Sequence, residues 1–202
     1  VLLKLSGEAL AGDKKTGITT MLTVLALDAG DICETCEINI TDNMNDIELK
    51  EIISEKSPAL LCSTLKGLYN KTLTPKKQEE EFVTFAAKFS KADGLIDWNR
   101  TAIEIHNQIR SMVDFPCAYT FFNNKMLKII ESKVINEHVD YECSKILSVS
   151  KDGIKVAAKN GCVLITKVKP ESKGAMNAFD FANGAKIKPD MKFGEEICIK
   201  EV

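Results

Sequence analysis

Five groups of residues in this 202-residue chain carry side chains able to do chemistry. Leu27-Asp28-Ala29-Gly30-Asp31 sets two carboxylates and a glycine in a turn between strand-like runs. There backbone can approach a ligand closely and an acid can stabilise a neighbouring cationic base. Taken alone, an acid in such a turn is a plain turn former. Cys33-x-x-Cys36 has the spacing of metal and redox pairs. On a strand, however, i and i+3 face opposite ways, and no second pair has metal-ligand spacing, so no metal site is expected. Lys4-Leu5-Ser6-Gly7-Glu8 could cradle phosphate through exposed amides and a lysine charge, but such a site needs partners from the rest of its fold. His106 shares a helical face with Ala102, Ile109 and Val113 and reads as a flank or core histidine, while His138 in a polar loop reads as solvated. Neither is a credible general base. Finally, Lys145, Lys151, Lys155, Lys159, Lys167, Lys169 and Lys173 stand against only Asp152 and Glu171, a local charge of +5. Lys167 and Lys169 share a strand face, which can follow a phosphate backbone or simply keep exposed strands soluble.

The elements that must position these residues follow from periodicity. Residues 1–5 form a short apolar run, 18–25 are β-rich and 31–40 alternate loosely. Thr41 or Asp42 can cap a helix with the apolar stripe Ile47, Leu49, Ile52 and Ile53. Pro58 is expected to end that helix or start another carrying Leu60, Leu61, Leu65 and Leu68. The run Thr74-Pro75-Lys76-Lys77-Gln78-Glu79-Glu80-Glu81 reads as a connector, giving expected domains at 1–74 and 95–202 and a linker at 75–94. Asn99 is expected to cap a helix through Ile103, Ile105, Ile109 and Val113 that stops at Phe115-Pro116. Beyond it, strand-like runs at 118–122, 126–135, 145–150, 154–158 and 162–168 are punctuated by Asn123-Asn124, Asp152-Gly153 and Asn160-Gly161. Asp-Gly and Asn-Gly between alternating apolar runs are strong hairpin signals, and several short strands in succession predict a small antiparallel barrel.

Composition narrows the class. With 45% hydrophobic residues and 27 basic against 29 acidic side chains, the chain is neither disordered, collagen-like nor membrane-spanning. Its net charge of -2 excludes an overall basic nucleic-acid binder, so any such binding is local. Residues 1–94 carry 11 basic and 15 acidic groups, net -4; residues 95–202 carry 16 and 14, net +2. Seven cysteines, an odd number, with no secretion signal ahead of them, read as reduced thiols of a cytoplasmic protein. The sequons at Asn39, Asn70 and Asn99 then carry no meaning. Lacking an initiating Met and opening inside an apolar run, the chain is expected to be a fragment.

Several motifs, in order, resemble one family. Thr16-Gly17-Ile18-Thr19-Thr20-Met21 followed by Leu27-Asp28-Ala29-Gly30-Asp31-Ile32 resembles the end of the catalytic domain of methionyl-tRNA formyltransferase. Ile96-Asp97-Trp98, Ile109-Arg110 and Phe115-Pro116-Cys117-Ala118-Tyr119-Thr120 resemble the opening of its C-terminal domain. Lys173-Gly174-Ala175-Met176 and Asp180-Phe181-Ala182-Asn183-Gly184 resemble its closing motif, so the likeness runs from about Gly12 to Phe193. Phe115 and Cys117 depart from the family's usual Trp and Gly, a change expected to affect packing. The larger departure is at the front: the family's Asn-x-His pair and Ser-Leu-Leu-Pro loop are missing from their place ahead of Asp28. Residues 1–13 instead resemble the start of bacterial uridylate kinase, so the chain reads as a junction.

The resemblance implies an α/β remnant of a Rossmann-like formyltransferase catalytic domain, followed by a small antiparallel, OB-like β-barrel C-terminal domain that binds tRNA. It implies transfer of a formyl group from 10-formyltetrahydrofolate to the amino group of initiator methionyl-tRNA. In that family Asn and His act on the oxyanion and the amine proton, and the Asp matching Asp28 tunes the histidine. Leu27, Asp28, Gly30 and Asp31 would contact the folate, and Lys155, Lys167, Lys169 and Lys173 the RNA. Without the Asn-x-His in its place, no turnover is expected. A monomer is expected, with association through the incomplete sheet of the first half. The alternatives are a non-catalytic RNA-binding module of residues 95–202, a formyltransferase of another amine such as a nucleotide sugar, and a uridylate kinase by the first 13 residues alone.

Overall fold

The computed structural model describes residues 2–5, 14–79, 81, 87–137 and 140–194. Ser6, Gly7 and Glu8 of the phosphate-cradle candidate, and also His138 and Cys198, lie outside the described residues. The chain divides into two compact units, Val1–Lys88 and Phe89–Val202.

In the first unit, β1 (Leu2–Leu5), β2 (Lys15–Met21) and β3 (Ile32–Asn39) pair in sequence order, each antiparallel to the next. β2 and β3 are in register at Ile18↔Cys36 and shift between Thr20 and Met21. A single helix, α1 (Asp46–Tyr69), covers one face. Its N-cap is Asn45 rather than the expected Thr41 or Asp42. The Asn45 carbonyl oxygen accepts from the Ile47 and Glu48 amides at 2.9 and 3.0 Å, and Glu48 accepts from the Asn45 amide at 3.0 Å. Nor does Pro58 divide the helix. Proline removes one amide donor, and both Pro58 and Ser54, whose carbonyl loses its partner, sit on the exposed side where water can serve it. The stripe of Leu49, Ile52, Ile53 and Leu60 stays continuous against Ile18, Ile38 and Ile40, and this packing outweighs the lost bond.

The expected linker is also partly structural. Lys76 exchanges two backbone hydrogen bonds with Ile32 at 2.7 and 2.8 Å, adding a bridge at the start of β3. Residues 74–79 thus belong to the first unit's framework.

In the second unit, a 3-10 turn (Ala92–Gly94) leads to α2 (Ala102–Ser111). Its cap is Thr101, not Asn99: the Thr101 hydroxyl accepts from the Glu104 amide while the Glu104 carboxylate accepts from Thr101. Then come β4 (Tyr119–Phe122), β5 (Lys125–Ile135), β6 (Ile146–Ser150), β7 (Gly153–Ala158), β8 (Gly161–Pro170), β9 (Met176–Asn177) and α3 (Ala178–Ala185). Turns fall at the three predicted sites, with Asn123, Asn124, Gly153 and Gly161 all at positive φ. The strands pair in the order β4-β5-β8-β7-β6, with β9 on β8, every pair antiparallel. This ladder is an open path. Residues 190–194 bond to both of its ends: the Ile146 amide to Met191 at 2.7 Å, Phe193 to Ser144 at 3.1 Å and Gly194 to Phe121 at 2.9 Å.

The core lies between the inner sheet face and the two helices: Ile105 and Ile109 of α2 and Ala178 and Ala182 of α3 meet Ile129, Val156, Val163 and Ile165. Trp98 stacks on Phe193 at 5.8 Å and donates its indole N–H to Thr120 at 3.1 Å. Cys117, where the family usually has Gly, takes φ 70° with its side chain buried. That left-handed geometry is what a glycine would adopt at no cost, so the departure is a strained backbone position. Among the described residues no helix is long and apolar enough to cross a membrane.

Candidate functional site

The acidic turn between β2 and β3 is built tightly. The Leu22 amide donates to the Asp31 carbonyl at 3.0 Å and closes a loop over residues 22–31. Asp28 adopts φ 55°. Gly30 is obligatory, because a Cβ there would lie 1.7 Å from the Leu22 carbonyl oxygen. The loop is held from outside by Gln78, whose amide donates to the carbonyls of Asp28 and Gly30 at 2.9 and 2.6 Å. Sequence reasoning missed Gln78, since one glutamine in a charged run gives no signal of its own. The four expected residues are therefore gathered in one turn: Asp28 and Asp31 half-buried, Gly30 buried, and Leu27 91% exposed beside an equally open Leu25.

Behind the loop, polar side chains tie β2, β3 and α1 together. Glu34 accepts from Thr64 at 2.6 Å and Ser63 at 3.1 Å, and the buried Thr64 and Thr20 hydroxyls meet at 2.8 Å. Cys33 and Cys36 stand three apart on β3, Cys33 at the register shift where β3 carries an extra residue, and burial pushes the Cys33 thiol up from its ordinary value. Among the described residues no three of His, Cys, Asp and Glu are grouped so as to hold a metal.

His106 is buried and its Nδ1 lies 3.0 Å from the buried Ser132 hydroxyl, so it is a core histidine. Beside it the buried Arg110 donates from Nε to the Asn107 side chain at 2.8 Å. The string Asn136-Glu137-His138 has Asn-x-His spacing but belongs to the second unit, and Glu137 there pairs with Lys155.

The lysines lie on the outer face of the second unit's sheet. Their positions follow from register: inward Leu127, Ile129 and Ser132 alternate with outward Lys128 and Lys133 on β5, and inward Ile165 and Val168 with outward Lys167 and Lys169 on β8. Lys155 pairs with Glu137, and that hydrogen bond holds its ammonium above the usual lysine range. Lys167 pairs with Glu131 at 3.2 Å. Lys169 stands directly opposite Lys128, and among the described residues neither is ion-paired. Like charges opposed across a ladder destabilise it unless an anion lies over them. Lys173 follows in the turn after β8. Tyr119 and Phe121, edge to face at 5.7 Å, extend this surface onto β4. Lys128 and Lys133 were missed, although the alternation in β5 carries the signal.

Residues 88–186 match the formyl transferase C-terminal domain. The chain is 36% identical over 188 residues to the methionyl-tRNA formyltransferase of Bacillus licheniformis, covering 93% of this chain and 60% of that protein. It is 38% identical over 180 residues to the one from Bacillus subtilis, covering 89% and 57%. The chain thus spans about three-fifths of the length of these relatives. Among solved structures, HypX from Aquifex aeolicus matches with a TM-score of 0.67 at 13% identity, covering 96% of this chain and 36% of that one. The N-formyltransferase from Helicobacter canadensis, in complex with folinic acid and dTDP-3-aminofucose, matches with a TM-score of 0.61 at 20% identity, over 78% and 57%. At such identities the structural likeness speaks for the fold.

Proposed function

We propose that the chain serves formyl transfer to methionyl-tRNA, because residues 88–186 match the formyl transferase C-terminal domain and the chain is 36% identical to a methionyl-tRNA formyltransferase. In that reaction the methionyl amino nitrogen attacks the formyl carbon carried by 10-formyltetrahydrofolate. A C–N bond forms, the bond to the folate nitrogen breaks, and the amine proton leaves to a base. The donor supplies only the activated formyl carbon. The loop over residues 22–31 fits a reduced pterin: Leu25 and Leu27 stand open to an apolar ring, and the Asp28 and Asp31 carboxylates can accept from its amino groups. Gln78 commits the Asp28 and Gly30 carbonyls and so aims the turn. Asp28 matches the acid that in the family orients the catalytic histidine, a part that His106, committed to the core, does not take here.

The second unit is proposed to hold the tRNA. The observation that carries this is the unneutralised Lys128/Lys169 pair on an outer face shared with Lys133, Tyr119 and Phe121. Lys173 lies at its edge, and Lys155 and Lys167 join once phosphate replaces Glu137 and Glu131 as their partner. The hydrogen bonds of residues 190–194 to both ends of the strand path support reading the sheet as a small OB-like barrel closed by that segment. Translation chemistry sets the protein in the cytoplasm, in keeping with six described cysteines that are all free.

The test is binding of this chain to initiator tRNA across a salt series, with formyl transfer measured on the same sample. Salt-dependent binding is expected, and His106, committed to the core, is not expected to supply turnover. Lys128→Glu and Lys169→Glu should each lower the log–log salt slope by about one. Unchanged slopes would remove the outer face from the RNA site, and turnover would show that the Asn-x-His is dispensable.

A further inference from the structure

At the end of the second unit's sheet, between the β4–β5 turn and α3, lies a cavity of about 370 Å³. That is within the range of roughly 300–1,000 Å³ for small-molecule sites. Its walls include Met126 and Phe181, and its rim carries Lys125, Lys173, Glu171 and Asp180. Among the described residues none of these four charged groups is ion-paired. Leu127 and Pro170, which line it, are the register pair next to Lys128 and Lys169, so those two lysines point to the opposite face of the sheet.

We propose that this cavity receives one unstacked base from a single-stranded segment of the bound RNA, an inference that rests on the RNA-binding reading above. A thioether and a phenyl ring offer the apolar surface that a base face needs, and every base has such a face. The phosphates on either side of that nucleotide fall to Lys125 and Lys173 at the rim. Glu171 and Asp180 would repel a phosphate. They accept hydrogen bonds from exocyclic amino groups, so the pocket favours adenine, cytosine or guanine over uracil. Duplex RNA cannot use the site, because its bases stay stacked and paired.

Gly184 provides the test. It lines the cavity, and a Cβ there would meet no atom within 4 Å, so Gly184→Leu sets a bulky side chain at the cavity's edge without disturbing α3. The probes are a single-stranded oligonucleotide carrying 2-aminopurine at each position in turn and a duplex of the same sequence, both titrated into the full chain. Gly184→Leu should weaken single-strand binding about tenfold, leave duplex binding unchanged and abolish the 2-aminopurine signal. Gly184→Ala, too small to fill the cavity, should behave as wild type, and the Trp98 unfolding transition confirms the fold of each variant. Equal single-strand affinity in wild type and Gly184→Leu overturns the proposal. In that event, weaker binding by Lys128→Glu and Lys169→Glu leaves the RNA reading intact. Failure of the wild type to bind either RNA overturns both.

Discussion

The two units are held together differently. Among the described residues the first buries four apolar side chains in its core cluster, whereas the second buries twenty. What the first unit lacks in apolar burial it partly replaces with polar ties: Glu34 to Ser63 and Thr64, and Gln78 to the carbonyls of the acidic turn. Such ties fix geometry but each contributes only about 1 kcal/mol net, against roughly 1.5–3 kcal/mol for each large apolar side chain buried. The lesson is a division of labour. Among the described residues the second unit is held by apolar burial, and the acidic turn of the first by hydrogen bonds from distant side chains.

The largest expected effect separates the units cleanly. Gly30→Ala forces backbone apart at a 1.7 Å approach and should cost the first unit on the order of 4 kcal/mol or more. Limited proteolysis should then cut residues 14–79 readily. The fluorescence of Trp98, the only tryptophan and a residue of the second unit, should unfold at its original midpoint. If the Trp98 transition shifts equally, the units are coupled and the comparison fails. Ile129→Ala is the reciprocal experiment: removing a fully buried side chain should cost the second unit about 3 kcal/mol, read in denaturant by Trp98. Gln78→Ala sharpens the account of the first unit. It should cost about 1–2 kcal/mol there and raise hydrogen exchange across residues 22–31 while leaving the second unit silent.

The smallest effect is a pH dependence of the second unit. Asp93 is held below the usual carboxylate range by hydrogen bonds from Ser90, Glu104 by those from Thr101, and Glu142 by Lys192. Groups whose folded pKa is depressed contribute stability above the unfolded value, near 4 for a carboxylate, and lose it as pH falls through the folded value. The Trp98 transition should therefore weaken modestly below about pH 4. Thr101→Ala should flatten the Glu104 part of that dependence. An unchanged acid profile in Thr101→Ala would show that the capping box is not its source.

Much of this architecture was legible in the residues themselves. Asp152-Gly153 and Asn160-Gly161 declare their hairpins because the positive-φ residue that closes each turn admits few residue types. Strand alternation in residues 125–135 and 161–170 declares which side chains face inward. The helix caps were misplaced by two to four residues: Asp42, Asn45, Asn99 and Thr101 are all competent, and the spacing Asn45-x-x-Glu48 and Thr101-x-x-Glu104 marks in the sequence the two that the fold uses. Pro58 suggested a break where tertiary packing kept one helix. The short helix α3 was not foreseen, because eight residues, two turns, carry little periodic signal.

For function, the sequence by itself determined the chemistry on offer: an acidic turn requiring glycine, histidines unsuited to base catalysis, and a lysine-rich strand region. Those are local properties of residue type and spacing. The tertiary structure alone decided that Gln78 reaches back some fifty residues to hold the turn, that Lys128 faces Lys169 while Lys155 and Lys167 are already paired, and that a cavity opens between the β4–β5 turn and α3. Each of these depends on which distant segments meet, and that is set by strand register and packing rather than by any one stretch of chain.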